Sequence, residues 1–375
     1  MKKILVFDTD LKGHHLEYLH HIYMGATSNQ QLSYYFCVPA SFNKIKDKFD
    51  WPESKNISFL FLSETDLKKC NKKSLLIGAW HKSILVRKLV NQYGIDNVWL
   101  IMFMYLMPFL PFLIPRSVKI TGVIYRLYFY EGNNMSILRL IIEKFRYFII
   151  AKSKNIDKVL ILNDEHATLY LNRVYNTGKF MYLPDPVPDL KKYELYDIRK
   201  ELGIEDSDKV FLHFGGLNYR KGTLDIMNAI QLVPETHRTN MVFIFAGVIM
   251  DEIKSEFYRI YKKVEKNTRI IVFDEFCSYE LLANLCNCTD FILLPYKNTN
   301  QSSGVIGYSA YYRKIVIGPS TGLLGNIIKK YEMGLSLEDL SPLCLSKLFI
   351  SLNKSTASSS YVNSHDVNDF IKSWY

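Results

Sequence analysis

Short runs that are apolar at nearly every position recur along the chain, separated by stretches whose apolar residues return every three or four places. In the first half the runs are ILVFD, LSYYFCV, NVWLIMF, VKITGVIY and DKVLILN, alternating with helix-like segments such as HLEYLHHIYMGA and HATLYLNRVY. From Lys209 the alternation restarts with KVFLHFG, a helix from Thr223, MVFIFAG and a long amphipathic helix over 251–266. RIIVFDEF, SYELLANLC, DFILLPY and KIVIGP follow. Strands alternating with helices predict βα units and parallel sheets, and strands apolar throughout predict burial on both faces. The expected class is α/β, with two doubly wound, Rossmann-like domains.

Between the two series lies MYLPDPVPDL. Its Pro184, Pro186 and Pro188 cannot stand inside a helix or a central strand, so the segment reads as a hinge. The expected domains are 1–185 and 186–355, with 356–375 ending in a helix that crosses back to the first. A chain of 375 residues exceeds what one core usually serves, which agrees with two domains. Ligands of such sheets gather at the carboxyl ends of the strands, and the cleft between the domains is the expected ligand site.

One run changes the picture. Residues 98–115, VWLIMFMYLMPFLPFLIP, carry no charge and reach the length at which a membrane span must be weighed. Pro108, Pro111 and Pro115 cut it, so a buried strand over 98–103 followed by a short apolar helix or loop is the favoured reading. Contact with a bilayer surface is the alternative, suggested by the aromatics and by nearby Arg116, Lys119 and Arg126.

The formal net charge of +10 favours anionic ligands or surfaces. The basic clusters, at 68–73 and 191–192, are short and read as solvated faces, so no nucleic acid partner is expected. Six cysteines fit neither a disulfide framework nor the CxxC spacing of a zinc site, and read as buried thiols of a reducing compartment. MKKILVFDTD has too short an apolar run for a signal peptide and reads as a first strand. The expected location is cytoplasmic, with peripheral contact at the inner membrane face.

The chemistry centres on FLHFGGLNYRKG, residues 211–222: a strand, a turn carrying Gly215 and Gly216, then Arg220 and Lys221 before a helix. A helix start offers unpaired N–H groups and a positive dipole end, and two adjacent cations suit a phosphate group. A second polar loop, Gln301, Ser302, Ser303 and Gly304, stands before another helix. Ser302 or Ser303 is its candidate N-cap, and the amides of Gly304 and Val305 are candidates for a second anion cradle. Together they suggest a nucleoside diphosphate.

FGGLNYRKGTLDIMNAI, FDEFCSYELLANLCNCTDFILLPY and QSSGVIGYSAYYRKIVIGPSTGLLGNIIKKYEMGL resemble, in order and spacing, the C-terminal domain of GT-B glycosyltransferases of the family 4 type (glycosyl transferases group 1). The likeness covers Val210 to about Leu337. In the first half it rests on the alternation, on the GHH turn after the first strand and on the LPDPV hinge. It implies a GT-B fold with an acceptor-binding N-terminal and a donor-binding C-terminal domain. Lys221, with Arg220, would bind the donor diphosphate; Phe276 and Cys277 would meet the nucleobase through backbone atoms; Ser302 to Val305 would hold phosphate oxygens. The donor would be a nucleoside diphosphate sugar, with no separate cofactor and no metal. Two departures stand out. Gly216 occupies the place of a common arginine, and positions close to Asn300 and Tyr308 lack the family's two glutamates.

In the first domain Gly13, His14 and His15 follow the first strand, where glycine can approach a diphosphate and a histidine could donate to the sugar or leaving phosphate. Solvated helix-face histidines are the plain alternative, since His20 and His21 follow. Tyr125, Arg126 and Glu131 are the acceptor-side candidates after VKITGVIY. Asp185 and Asp189 in the hinge, and Asp274 and Glu275, make no facing carboxylate pair of the kind glycoside hydrolysis needs. The reaction expected is transfer of a sugar to a glycan or lipid-linked acceptor, retaining and metal-independent, in surface polysaccharide assembly. A non-catalytic nucleotide-sugar-binding protein and a sugar-nucleotide epimerase are the alternatives.

Overall fold

The computed structural model describes all residues except Lys12, His14, Lys73, 131–135, Ser359 and the side chain of Lys48. It divides into two compact units, Met1–Asp185 with Val367–Tyr375, and Pro186–Asp366.

In the first unit the elements run β1 (Lys2–Phe7), α1 (His15–Ser28), β2 (Leu32–Pro39), β3 (Ile57–Leu62), α2 (Glu64–Cys70), α3 (Leu75–Tyr93) and β4 (Asn97–Leu100). They continue with α4 (Leu110–Leu113), β5 (Lys119–Ile124), α5 (Ile137–Lys152), β6 (Ile156–Leu162), α6 (Glu165–Tyr175) and β7 (Phe180–Leu183). The seven strands are all parallel, in the order β3-β2-β1-β4-β5-β6-β7. Two cores flank the sheet. One holds Leu5, Leu100 and Ile120 against α3, α5 and α6, and the other holds Ile4, Val6 and Phe36 against α1.

The second unit contains α7 (Ile198–Glu201), β8 (Lys209–Phe214), α8 (Thr223–Leu232), β9 (Met241–Ala246), α9 (Asp251–Val264), β10 (Arg269–Phe273), α10 (Tyr279–Cys288) and β11 (Phe291–Leu293). Then come α11 (Val305–Tyr311), β12 (Ile315–Pro319), α12 (Gly322–Lys330), β13 (Gly334–Leu337), α13 (Pro342–Ser351) and α14 (Ser360–Ser364). Its six parallel strands are ordered β10-β9-β8-β11-β12-β13. Alternate β8 residues feed opposite cores: Val210, Leu212 and Phe214 face α10 to α12, while Phe211 stacks with Phe243 and Phe291 and meets Phe349 at a tilt, at centroid distances of 4.9 to 5.0 Å. Each such ring, fully buried, contributes about 1.5–3 kcal/mol. The last helix, α15 (Val367–Lys372), returns to the first unit, where Phe370 and Trp374 are buried against α1 and Trp99.

Both sheets reverse their strand order once, between β1 and β4 and between β8 and β11. In an open parallel sheet that reversal opens a crevice at the carboxyl ends.

The apolar run over 98–115 is mostly core. β4 ends at Leu100, a 3₁₀ turn spans Phe103–Leu106, and Phe103, Leu106, Met107, Leu110 and Ile114 are buried. Of its aromatics Tyr105 and Phe112 are exposed, so the favoured reading as buried strand and short apolar helix describes most of the run, and two rings are left at the surface. Among the described residues no helix is long and apolar enough to cross a membrane.

Candidate functional site

In the second unit, the turn after β8 and the loop after β11 flank the point where strand order reverses. Gly215 and Gly216 make the turn, and a 3₁₀ turn, Tyr219–Lys221, delivers Arg220 and Lys221 ahead of α8. Asn218 caps that turn by accepting from the Lys221 amide at 3.0 Å. Gly222 must then be glycine: its φ is +73°, and a Cβ would lie 2.2 Å from the Pro295 carbonyl oxygen. The close approach locks the two loops, and the Lys297 amide adds a 2.9 Å bond to the Arg220 carbonyl.

The cations share one aromatic floor. Lys221 Nζ donates to the Phe214 carbonyl at 3.1 Å and stands 5.4 Å from the Tyr296 ring centroid, with the Arg220 guanidinium at 5.9 Å from the same ring. Neither forms an ion pair with a carboxylate among the described residues, whereas neighbouring Lys297 is neutralised by Asp225 at 3.1 Å. Two positive charges are therefore left for an anion. The Tyr296 hydroxyl lies 3.4 Å from Ser303 Oγ and so reaches the second loop. Tyr296 escaped the reading of the sequence, although an aromatic beside a basic turn at a strand end is a recognisable signal.

Gln301, Ser302, Ser303 and Gly304 are half-buried, and Val305 is buried at the start of α11. Neither serine caps this helix. Gly304 is its N-cap with no side-chain bond, because the Ile306 and Gly307 amides close onto the Ser303 and Gly304 carbonyls at 3.0 and 3.1 Å. Tyr308 is buried edge-on to Phe214 at 5.5 Å. Phe276 and Cys277 follow β10, with β9 between them and β8; Phe276 is exposed and Cys277 buried, its thiol pushed up by that burial. Asp274 has a structural task, accepting from the Ile249 amide at 2.8 Å and pairing with Lys254 at 2.8 Å.

In the first unit a second cluster forms where strand order reverses at β1. Asp8 follows β1 directly, is fully buried, and accepts from His15 Nδ1 at 2.6 Å. Burial pushes its carboxyl upward while the imidazole pulls it back. The His15 ring stacks 6.2 Å from Tyr125, which also lies 6.1 Å from Tyr18. The Tyr125 hydroxyl is buried and has no hydrogen-bond partner among the described residues. Tyr18 donates to Asp185 at 2.5 Å. Gly13, at φ +60°, has open space where a Cβ would stand, and Arg126 is exposed. His14 and Glu131 lie outside the described residues. The sequence singles out the histidines and places Asp185 in the hinge, but gives no role to Asp8 or Tyr18 and no partner to Asp185. An acid closing an apolar strand just ahead of a histidine turn was the available sign of the first.

No family model matches the chain. Among solved structures it matches Anabaena Alr3699/HepE, determined with UDP and glucose, at a TM-score of 0.71 and 12% identity over 100% of this chain and 98% of that one. The fold is GT-B. A glycosyltransferase from Rickettsia africae ESF-5 matches at 0.68 and 12% identity, covering 99% and 96% of the two chains. WaaG, a glycosyltransferase involved in lipopolysaccharide biosynthesis, matches at 0.64 and 14%, covering 99% and 94%. By sequence the chain is 24% identical over 150 residues to MJ1607, an uncharacterized glycosyltransferase of Methanocaldococcus jannaschii. That alignment spans 40% of this chain and 37% of the relative.

Proposed function

We propose that the chain is a glycosyltransferase that takes a sugar from a nucleoside diphosphate donor held by the second unit. The observation that carries this reading is the pair Arg220 and Lys221, set over Tyr296 at the point of strand reversal without a carboxylate partner among the described residues. Two such cations would offset the charge that develops on a departing diphosphate, in a mechanism that needs no metal. The loop from Gln301 to Val305 would contribute amides and hydroxyls to the phosphates, and Phe276 and Cys277 backbone contacts to the base. Uridine is the first base to test, because UDP and UDP-glucose are bound by Alr3699/HepE.

His15, oriented by Asp8, would donate to the sugar or the leaving phosphate. Tyr125 and Arg126 would face a glycan or lipid-linked acceptor. Retention of anomeric configuration and a role in surface polysaccharide assembly complete the proposal.

A thermal-shift screen of nucleoside diphosphates and their sugars on wild type and Lys221→Ala tests it, since stabilisation follows ligand concentration over dissociation constant. Wild type should be stabilised by a diphosphate and the variant much less. If no nucleoside diphosphate stabilises wild type, or both proteins respond alike, the reading is wrong. Transfer to an acceptor, measured beside donor hydrolysis and isomerisation, separates a transferase from a binding protein or an epimerase.

A further inference from the structure

The connections from β3 to β4, β4 to β5 and β5 to β6 run through α3, the turn Phe103–Leu106 with α4, and α5. Right-handed crossovers made in one direction along a parallel sheet lie on one face. These do: Val90, Phe103, Leu110 and Ile150 share one core. The layer is also tied sideways. Arg146 of α5 donates to the Met104 carbonyl, Ser83 of α3 donates to the Leu106 carbonyl at 3.0 Å, and Trp80 meets Phe109 edge-on at 5.3 Å.

The outer side of this layer is apolar. On α5, Ile137, Ile141, Phe145 and Phe148 are 79%, 58%, 56% and 50% exposed, and their spacing of four, four and three residues makes one stripe. On α3, Ile77, Trp80 and Ile84, spaced three and four apart, are also exposed, and Phe112 of α4 is 72% exposed. Scattered exposed apolar residues need no explanation, but stripes on neighbouring helices of one layer do.

The charge of the same stretch is one-sided. Residues 67–156 contain 15 Lys and Arg against three Asp and Glu, a net +12 in a chain whose total is +10, so the remainder is slightly acidic. α3 has no acidic residue, and the single acid of α5, Glu143, is ion-paired with Arg146 at 2.6 Å. Arg139 and Lys144 are exposed on α5, and Lys72, Arg87 and Arg116 are exposed on or beside α3 and α4.

We propose that this face of the first unit docks on an anionic lipid bilayer, with the α3 and α5 stripes entering the interface and the surrounding cations meeting lipid phosphates. Apolar stripes set in a segment of strongly positive net charge fit that surface. A second copy of the chain would bring like charges together. The docking does not depend on the donor reading, because it needs no nucleotide.

Flotation with vesicles of phosphatidylcholine mixed with phosphatidylglycerol, against phosphatidylcholine alone, tests the proposal. Wild type should bind the anionic vesicles at least about tenfold better and release as salt rises. Ile141→Glu with Phe145→Glu, both at exposed positions, should weaken binding by about tenfold or more. Arg139→Glu with Lys144→Glu should weaken it roughly fivefold for each cation removed. Unchanged melting points would establish that the variants are folded. Failure of wild type to bind anionic vesicles, or equal binding by the Ile141 and Phe145 variant, overturns the proposal. So does a wild-type dimer in sedimentation that this variant converts to monomer, since the face would then be a self-association surface. The thermal-shift screen can fail while flotation succeeds, and the reverse, so the two readings fall separately.

Discussion

Asp8 and His15 are joined by a 2.6 Å hydrogen bond that spans the turn between β1 and α1, with the carboxylate fully buried and the imidazole at its rim. The other Asp8 oxygen accepts from the Asp10 amide at 3.0 Å, and the Asp8 amide continues the β-ladder to Cys37 at 3.1 Å. The carboxylate is therefore anchored on both sides. It sets the ring's orientation and makes Nδ1 the protonated nitrogen.

If His15 moves a proton or contacts the donor, losing that anchor should impair turnover more than binding. Asp8→Asn keeps the shape but removes the charge. Turnover should fall by about 100-fold or more, while nucleotide affinity, which the proposed function assigns to the second unit, should change little. Steady-state kinetics beside calorimetric titration of the nucleotide checks this. Wild-type turnover in Asp8→Asn would leave the pair a purely structural contact.

Tyr296 supports the two cations from below and touches Ser303 from the side. Tyr296→Leu removes the ring and should weaken diphosphate binding by roughly 2- to 30-fold, the span of a cation–π contact between exposed and desolvated settings. Tyr296→Phe keeps the ring and loses only a 3.4 Å contact, long for O–H···O, so its affinity should stay within about twofold of wild type. Equal losses in both variants would shift the weight from the ring to the hydroxyl.

The strands were readable because a parallel strand covered on both faces is apolar at nearly every position; Phe211, Phe243 and Phe291 stack across three neighbouring strands for that reason. α3 and α5 were not read as helices. Ile77, Phe145 and their neighbours place apolar side chains on the outer surface as well as in the core, which blurs the helical period. The basic turn was visible because its glycines and cations are contiguous. The Asp8–His15 pair and the Tyr296 floor join residues across turns, where spacing along the chain says little about distance. Ser303 looked like a cap by residue type, yet the chain turns one residue later, at Gly304.

The turn glycines differ in what they tolerate. A Cβ on Gly247, whose φ is +136°, would stand 2.0 Å from the Gly215 carbonyl oxygen, so Gly247→Ala forces the two turns apart. The backbone strain alone is worth about 1–3 kcal/mol, and the clash adds to it. Gly216 has no left-handed φ, and its Cβ would meet only the Met250 Cε at 3.4 Å. Gly216→Ala should therefore fold and melt within a few degrees of wild type. Gly216→Arg should fold as well and, by adding a third cation beside the turn, tighten diphosphate binding severalfold. Melting curves and titrations of the three variants decide it; a well-folded Gly247→Ala would contradict the close approach.

Two buried histidines of the second unit make stability depend on pH. His213 lies between the Leu293 carbonyl at 2.9 Å and Thr223 Oγ1 at 3.0 Å, and burial lowers its pKa to about 3. His365 stacks on Tyr361 at 3.6 Å, and burial lowers its pKa to about 4. Both values lie below the roughly 6.5 of an unfolded histidine. The stability they contribute is thus complete above about pH 6.5 and is lost as pH falls toward the folded values, because the unfolded chain takes up protons that the native one refuses. Each proton is worth about 1.4 kcal/mol per pH unit. Asp8 works in the opposite sense: its raised carboxyl costs the fold stability as pH rises, so the total slope mixes signs. The difference between wild type and His365→Gln isolates one site. Urea denaturation between about pH 6.5 and 4.5 should show the variant losing stability less steeply, by up to about 1.4 kcal/mol per unit. Parallel curves would mean that His365 is protonated in the native protein.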